Sequence, residues 1–307
     1  MEDRRWEIIG APFGLGTSYP GTEKGPAAIR DAGLKRIVEY LSSSGVELVD
    51  GGDVEPEASR GSGRMPTGLD QMMAYAPALV KWLDVPLEAG TVPVVLGGDH
   101  SISIASVSAV IRSLRMRNSP DASVGLVWVD AHPDLETPGP ESTNDLNAMP
   151  IAHLLGREIG NLRDLPDLTP MVHPEHLVYV GIRDVVDEER EAIHDLGIRC
   201  YTMTDIERLG IVEVCSEAFA RAAEGSDGLV LSLDIDALDP TVAPGVDYPV
   251  AGGLTFREAM VIMEFAHRSK GLALVELVEV NPEKDAEDET SKAAARLLHR
   301  LIAGPVL

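Results

Sequence analysis

Three apolar runs in this 307-residue chain, Val92–Leu96, Val124–Val129 and Leu229–Leu233, each end in a cluster of Asp and His. The clusters are Gly97-Gly98-Asp99-His100, Asp130-Ala131-His132-Pro133-Asp134 and Asp234-Ile235-Asp236. A fourth segment, Glu276-Leu-Val-Glu279-Val-Asn281-Pro282, closes the run Leu272–Val280. Short runs without polar alternation are how parallel strands read when both sheet faces are covered. Such strands deliver functional groups to the carboxyl edge of the sheet. A lone Asp-x-Asp usually caps a helix or pairs with a cation, but three clusters at three strand ends point to one shared site. Side-chain alternation predicts that Asp130, His132 and Asp134 face one way from an extended segment, and that Asp234 and Asp236 do the same.

The remaining pattern alternates strand with helix. Further strands are predicted over Trp6–Ile9, Val46–Asp50, Leu177–Val180 and Arg199–Thr202. Helices are predicted from Pro26 to Ala32 and over Gln71–Val85, Ser103–Leu114, Pro150–Leu155, Asp187–Leu196, Ile211–Ala223, Phe256–His267 and Thr290–Leu301. This order predicts an α/β fold, a parallel sheet with helices on both faces. No linker or composition shift divides it, so a single domain over residues 1–307 is expected.

A hydrophobic share of 44% is ample for a core, and with aromatics at 4% that core must be aliphatic. The balance of 26 basic against 50 acidic residues, net −24, argues against nucleic acid or an anionic membrane as partner. Cys200 and Cys215 build no disulfide framework and no metal spacing, and read as buried thiols. No apolar run approaches the roughly 20 residues that cross a bilayer. The first residues hold no secretory segment, so a cytoplasmic protein is expected.

His100, Asp130, His132, Asp134, Asp234 and Asp236 supply two imidazoles and four carboxylates, enough charge to balance two divalent cations. An oxygen-rich, thiolate-free set suits Mn²⁺, two per chain, and is compatible with Co²⁺ or Fe²⁺. Two such ions lower the pKa of a shared water and supply hydroxide for attack on an electrophilic carbon.

These motifs resemble those of the ureohydrolases, the arginase/agmatinase family. Gly97-Gly98-Asp99-His100-Ser101, Asp130-Ala-His132-x-Asp134 and Ser232-x-Asp234-x-Asp236-x-x-Asp239-Pro240 are similar to its three signatures. Gly10-Ala-Pro-Phe13, Gly181-Ile-Arg-Asp184 and Gly252-Gly253-Leu254 extend the likeness over nearly the whole chain. Tyr201-x-Met203-Thr204 and Arg208-Leu209-Gly210 are more similar to the arginase branch than to the agmatinase branch. The resemblance implies a three-layer α/β/α sandwich around an eight-stranded parallel sheet, assembled as a homo-oligomer (trimer or hexamer). The C-terminal tail that some arginases use between subunits is expected to be lacking, which leaves hexamer formation open. The resemblance also implies that His100, Asp130, Asp134 and Asp234 hold one ion. His132 with Asp130, Asp234 and Asp236 would hold the other, Asp130 and Asp234 bridging. Glu279 matches the position that pairs with a guanidinium, whose planar fork of donors suits a carboxylate. Hydrolysis of such a guanidino substrate yields urea and an amine.

The loop after the second motif departs from the family. The family's catalytic His falls on Asn147, which cannot titrate near neutrality. His153, six residues on, is a conceivable substitute, although a lone His in an apolar stretch is usually structural. Glu136 stands where arginases carry an Asn that meets the substrate carboxylate, and Thr143 replaces a Ser of that cluster. The residue that meets the α-ammonium falls on Val186, with Asp187 beside it, and Glu189 matches a family Glu. A carboxylate at 136 repels the α-carboxylate of free arginine. The expected activity is therefore hydrolysis of a non-arginine or modified-arginine guanidino compound. An ordinary arginase or agmatinase, or a catalytically silent protein of this fold, are the alternatives.

Overall fold

The computed structural model describes residues 4–55, 68–139, 142–157, 159–160, 162 and 172–305. Its strands are β1 (Trp6–Ala11), β2 (Leu48–Asp53), β3 (Val92–Gly97), β4 (Val124–Val129), β5 (Leu177–Ile182), β6 (Arg199–Thr202), β7 (Gly228–Asp234) and β8 (Leu272–Val278). They form one sheet in the order β2-β1-β3-β8-β7-β4-β5-β6, with parallel pairing throughout. The helices are α1 (Gly25–Ile29), α2 (Lys35–Ser43), α3 (Gly68–Glu88), α4 (Ser103–Arg117), α5 (Pro150–Leu154), α6 (Asp187–Leu196), α7 (Met203–Leu209), α8 (Ile211–Ala223), α9 (Phe256–Arg268) and α10 (Glu289–Ala303).

Alternation along each strand splits the apolar residues between two cores. Ile8, Val94, Leu96, Val127 and Val129 pack with α1, α2 and α7 to α10 on one face. Ile9, Val95, Leu126 and Trp128 pack with α3 to α6 on the other. The predicted three layers and eight parallel strands are therefore those observed. No described helix is long and apolar enough to cross a membrane.

After β3 the chain passes through α4 to β4, skipping two places in the sheet that β8 and β7 later fill. The four middle strands, β3-β8-β7-β4, are the ones whose carboxyl ends carry the acidic motifs. A reversal of strand order opens a crevice at that edge, where α/β sheets bind ligands.

Two helices escaped the sequence reading. Helix α2 continues from α1 through a wide turn in which Gly33 has φ 141°, and α7 follows β6 directly, capped by Thr202, which accepts from the Asp205 amide. Strand β8 stops at Val278, two residues before the predicted end, because Glu279 turns to φ 65°.

Candidate metal centre and substrate pocket

Gly98 lies so close to the backbone that a Cβ there would stand 1.8 Å from the Phe13 carbonyl oxygen, so only glycine fits. Beyond it Asp99 caps the turn His100–Ile102 by accepting from the Ser101 amide. A second bond to Asp99, from the Gly16 amide at 2.7 Å, ties in the N-terminal loop. Asp99 thus builds the turn that aims His100 and does not itself join the cluster.

His100 is buried, stacked on Trp128 with ring centroids 3.9 Å apart. Its Nε2 lies 2.8 Å from Ser232 Oγ. With the proton on Nε2, donated to the Ser232 hydroxyl, the Nδ1 lone pair faces three carboxylates. Nδ1 stands 3.1 Å from Asp130 Oδ2, 3.1 Å from Asp134 Oδ2 and 3.2 Å from Asp234 Oδ2. It nevertheless lacks a hydrogen-bond partner. Those separations fit a common ion: ligands at right angles with bonds of roughly 2.0–2.2 Å sit about 3 Å apart. A second group shares Asp130, whose Oδ1 lies 3.5 Å from His132 Nδ1, while Asp236 Oδ2 lies 3.2 Å from the same nitrogen. His100, Asp130 and Asp234 therefore form one group able to hold a metal ion, and Asp130, His132 and Asp236 another. All six predicted ligands converge.

They do not converge by strand alternation. Strand β4 ends at Val129, and Asp130 to Asp134 follow a bend in which Asp134 takes φ 50°. Asp236 sits in a single helical turn after β7, its amide donating to Asp234 Oδ1 at 2.7 Å. The prediction of two extended segments is corrected here: backbone bends direct the side chains, held by Asp carboxylates that accept nearby amides. Arg183 fixes the turn from β5, donating to the carbonyls of Asp236 (2.7 Å), Ala237 (3.1 Å) and Val250 (2.8 Å).

The cluster repels itself. Burial, reinforced by Asp130, pushes the Asp134 carboxyl up to about 8. Burial with Asp236 and Asp130 raises Asp234 well above the carboxylate range, and burial with Asp130 raises Asp236. Burial would lower His100, yet the surrounding carboxylates carry it well above its ordinary value. Positive charge placed among these groups removes the repulsion, and the donor set, oxygen-rich with two imidazoles, fits divalent metal ions.

A pocket opens above the cluster, lined among others by His132, Asp134, Asp234, Asp236, Glu136, Thr143, Asn147, Glu189 and Glu279. Glu279 is buried, with burial and then Asp99 raising its carboxyl. Its Oε1 accepts from the His100 amide at 2.8 Å and from Asn147 Nδ2 at 3.2 Å. Glu136 Oε2 accepts from Ser142 Oγ (2.7 Å), the Thr143 amide (2.9 Å) and Thr143 Oγ1 (3.1 Å). Glu189 is buried, burial raises its carboxyl to about 7, and its oxygens accept from the Leu135 and Val186 amides. Asp187 is not brought to the pocket: its side chain is 92% exposed and pairs with Arg190, since it occupies the outward first turn of α6. His153 is buried within α5 and does not line the pocket.

Sequence reasoning missed four residues here. Asp184 lines the pocket behind His132, with 3.8 Å between its Oδ2 and His132 Nε2. Tyr248 forms a wall, 6.3 Å from the His132 ring, its hydroxyl donating to Asp145 Oδ2 at 3.1 Å. Ser232 orients His100. Ser232 and Asp184 stood inside quoted motifs and could have been found there, whereas Tyr248 and Asp145 lie on loops with no periodic signal.

The arginase family model matches residues 4–304. The arginase of Bacillus caldovelox is 36% identical over 298 residues, 96% of each chain. The solved arginase of Bacillus subtilis superposes with a TM-score of 0.86 at 34% identity, covering 99% of this chain and 100% of that one. The proclavaminate amidino hydrolase of Streptomyces clavuligerus gives a TM-score of 0.73 at 26% identity, over 97% of this chain and 90% of that one.

Proposed function

This chain belongs to the arginase family of hydrolases, which act on guanidino C–N bonds, and we propose that its substrate is a guanidino compound other than free L-arginine. One observation carries the reading: the Thr143 amide and hydroxyl and the Ser142 hydroxyl are already given to Glu136. Donors that would greet a substrate carboxylate are satisfied by a carboxylate of the protein. The pocket wall also holds Asp145, Asp184, Glu189 and Glu279, with no Lys or Arg among its described residues. A tail without a free carboxylate, or with a second cation, suits that field.

In this reading His100, Asp130, Asp134 and Asp234 hold one Mn²⁺, and His132, Asp130, Asp234 and Asp236 hold the other. Bound, the two ions bring the pKa of a water near neutrality and polarise the reacting carbon's surroundings. Glu279 holds the guanidinium, matching its planar donors. Glu189 braces the loop after Asp134 against α6, and Asp187 is left to the surface. Asn147 has no proton that titrates near neutrality, so the leaving amine is protonated by another route.

A second reading, an ordinary arginase, is favoured by the 36% identity to a named arginase over nearly the whole chain. Glu136→Asn separates them. On the first reading, freeing the Thr143 donors and removing the charge raises kcat/KM for L-arginine by about tenfold or more, as for a hydrogen bond to a charged group. A variant that leaves arginine turnover unchanged, or lowers it, supports the second.

A further inference from the structure

We infer that Asn147 binds the substrate's guanidinium directly, its Oδ1 acting with Glu279 Oε2 as a pair of acceptors. The inference rests on the proposed amidinohydrolase function and assigns Asn147 a positive role where the family's His is missing. Asn147 and Glu279 are 7% and 4% exposed and line the same pocket. The amide is oriented by its neighbour. Its Nδ2 donates to Glu279 Oε1, which leaves Oδ1 as the free end, and its own amide nitrogen is used by the Gly16 carbonyl at 3.0 Å. Among the described residues, Asn147 Oδ1 and Glu279 Oε2 are both buried without a hydrogen-bond partner.

Buried acceptors in native proteins almost always have donors. Two orphaned acceptors on bonded neighbours in one pocket wall call for a ligand that brings N–H groups and no lone pairs. Guanidinium is such a group, planar and donor-only. The backbone holds this arrangement: Glu279 takes φ 65°, a costly conformation for a non-glycine residue, and its N–H donates a hydrogen bond to the Gly98 carbonyl at 2.8 Å. An imidazole at position 147 would offer one acceptor only in one tautomer, whereas the amide oxygen is an acceptor at every pH.

The test is calorimetric titration of the Mn²⁺-loaded protein and its Asn147→Ala variant with two probes. Guanidinium chloride carries the head group alone, and 1,4-diaminobutane carries a cationic tail alone. The inference predicts that Asn147→Ala weakens guanidinium binding by about 10-fold to 100-fold, the range for a hydrogen bond to a charged group, with diaminobutane unchanged. The variant's kcat should keep the wild-type pH profile, because an amide does not titrate. Unchanged guanidinium affinity, or equal loss for both probes, overturns the inference, the latter marking a structural role. Failure of the wider functional reading looks different: the unaltered protein then binds neither probe and releases no urea.

Discussion

Asp134 and Glu279 hold positive φ values of 50° and 65°, and both line the pocket. Such backbone in non-glycine residues persists only where surrounding bonds over-determine it, and it gathers at functional sites. At Glu279 the turn points the carboxylate along the sheet edge instead of into a core. Burial and Asp99 oppose its charge, so the metal-free protein holds it at a cost. Glu279→Gln should therefore raise the Tm of the metal-free protein while lowering kcat/KM by roughly 10²–10³, the loss typical of one partner of a buried charge pair. A variant with full activity would remove Glu279 from substrate binding. None of this strain was legible in the sequence, where Leu272–Val280 read as one continuous strand. The chemistry of Glu279 was legible through the family resemblance, which sets a guanidinium-pairing carboxylate at that position.

At the scale of elements, β4 and β7 bring their Asp and His side chains together by bends held with Asp–amide bonds, and β3 by a one-turn helix. The six residue types and their strand ends were readable from apolar runs followed by acidic clusters. The bends by which they converge were not, since local Asp–amide bonds compete with extended backbone and win at these ends. Likewise Asp187 stood one residue from Val186 in sequence, yet the first turn of α6 points it to solvent. The link from β7 to β3 is Ser232, whose hydroxyl fixes the His100 ring. Ser232→Ala should weaken Mn²⁺ binding by about 10-fold to 100-fold with the fold intact, the effect expected of a lost orienting partner. Calorimetric titration with Mn²⁺ checks this, and an unchanged affinity with a normal Tm would show that packing on Trp128 suffices.

For the whole molecule, the order of strands explains why one edge holds everything: four middle strands end beside each other at the reversal. The alternation of elements made the α/β class and the eight strands readable, while Tyr248 and Asp145 depended on how distant loops meet, which no local pattern encodes. The acidic centre also sets the response to pH. Carboxyls raised by folding (Asp134 to about 8, Glu189 to about 7) and imidazoles raised by acidic neighbours (His100, His132) all bind more protons folded than unfolded. Stability therefore falls as pH rises through that window. The Tm of the chelator-treated protein should drop between about pH 5 and 8, and added Mn²⁺ should restore most at the upper end. A chelated protein whose Tm rises over that range would contradict the electrostatic account.

The most direct measurement is urea release by the Mn²⁺-loaded protein from L-arginine, agmatine, 4-guanidinobutyrate and larger guanidino metabolites. Two bound ions per chain, and a higher kcat/KM for a compound lacking a free carboxylate than for L-arginine, is the predicted result. Highest turnover of L-arginine would contradict the assignment of the Glu136 pocket, and no urea from any member with no metal bound would contradict the metal centre itself.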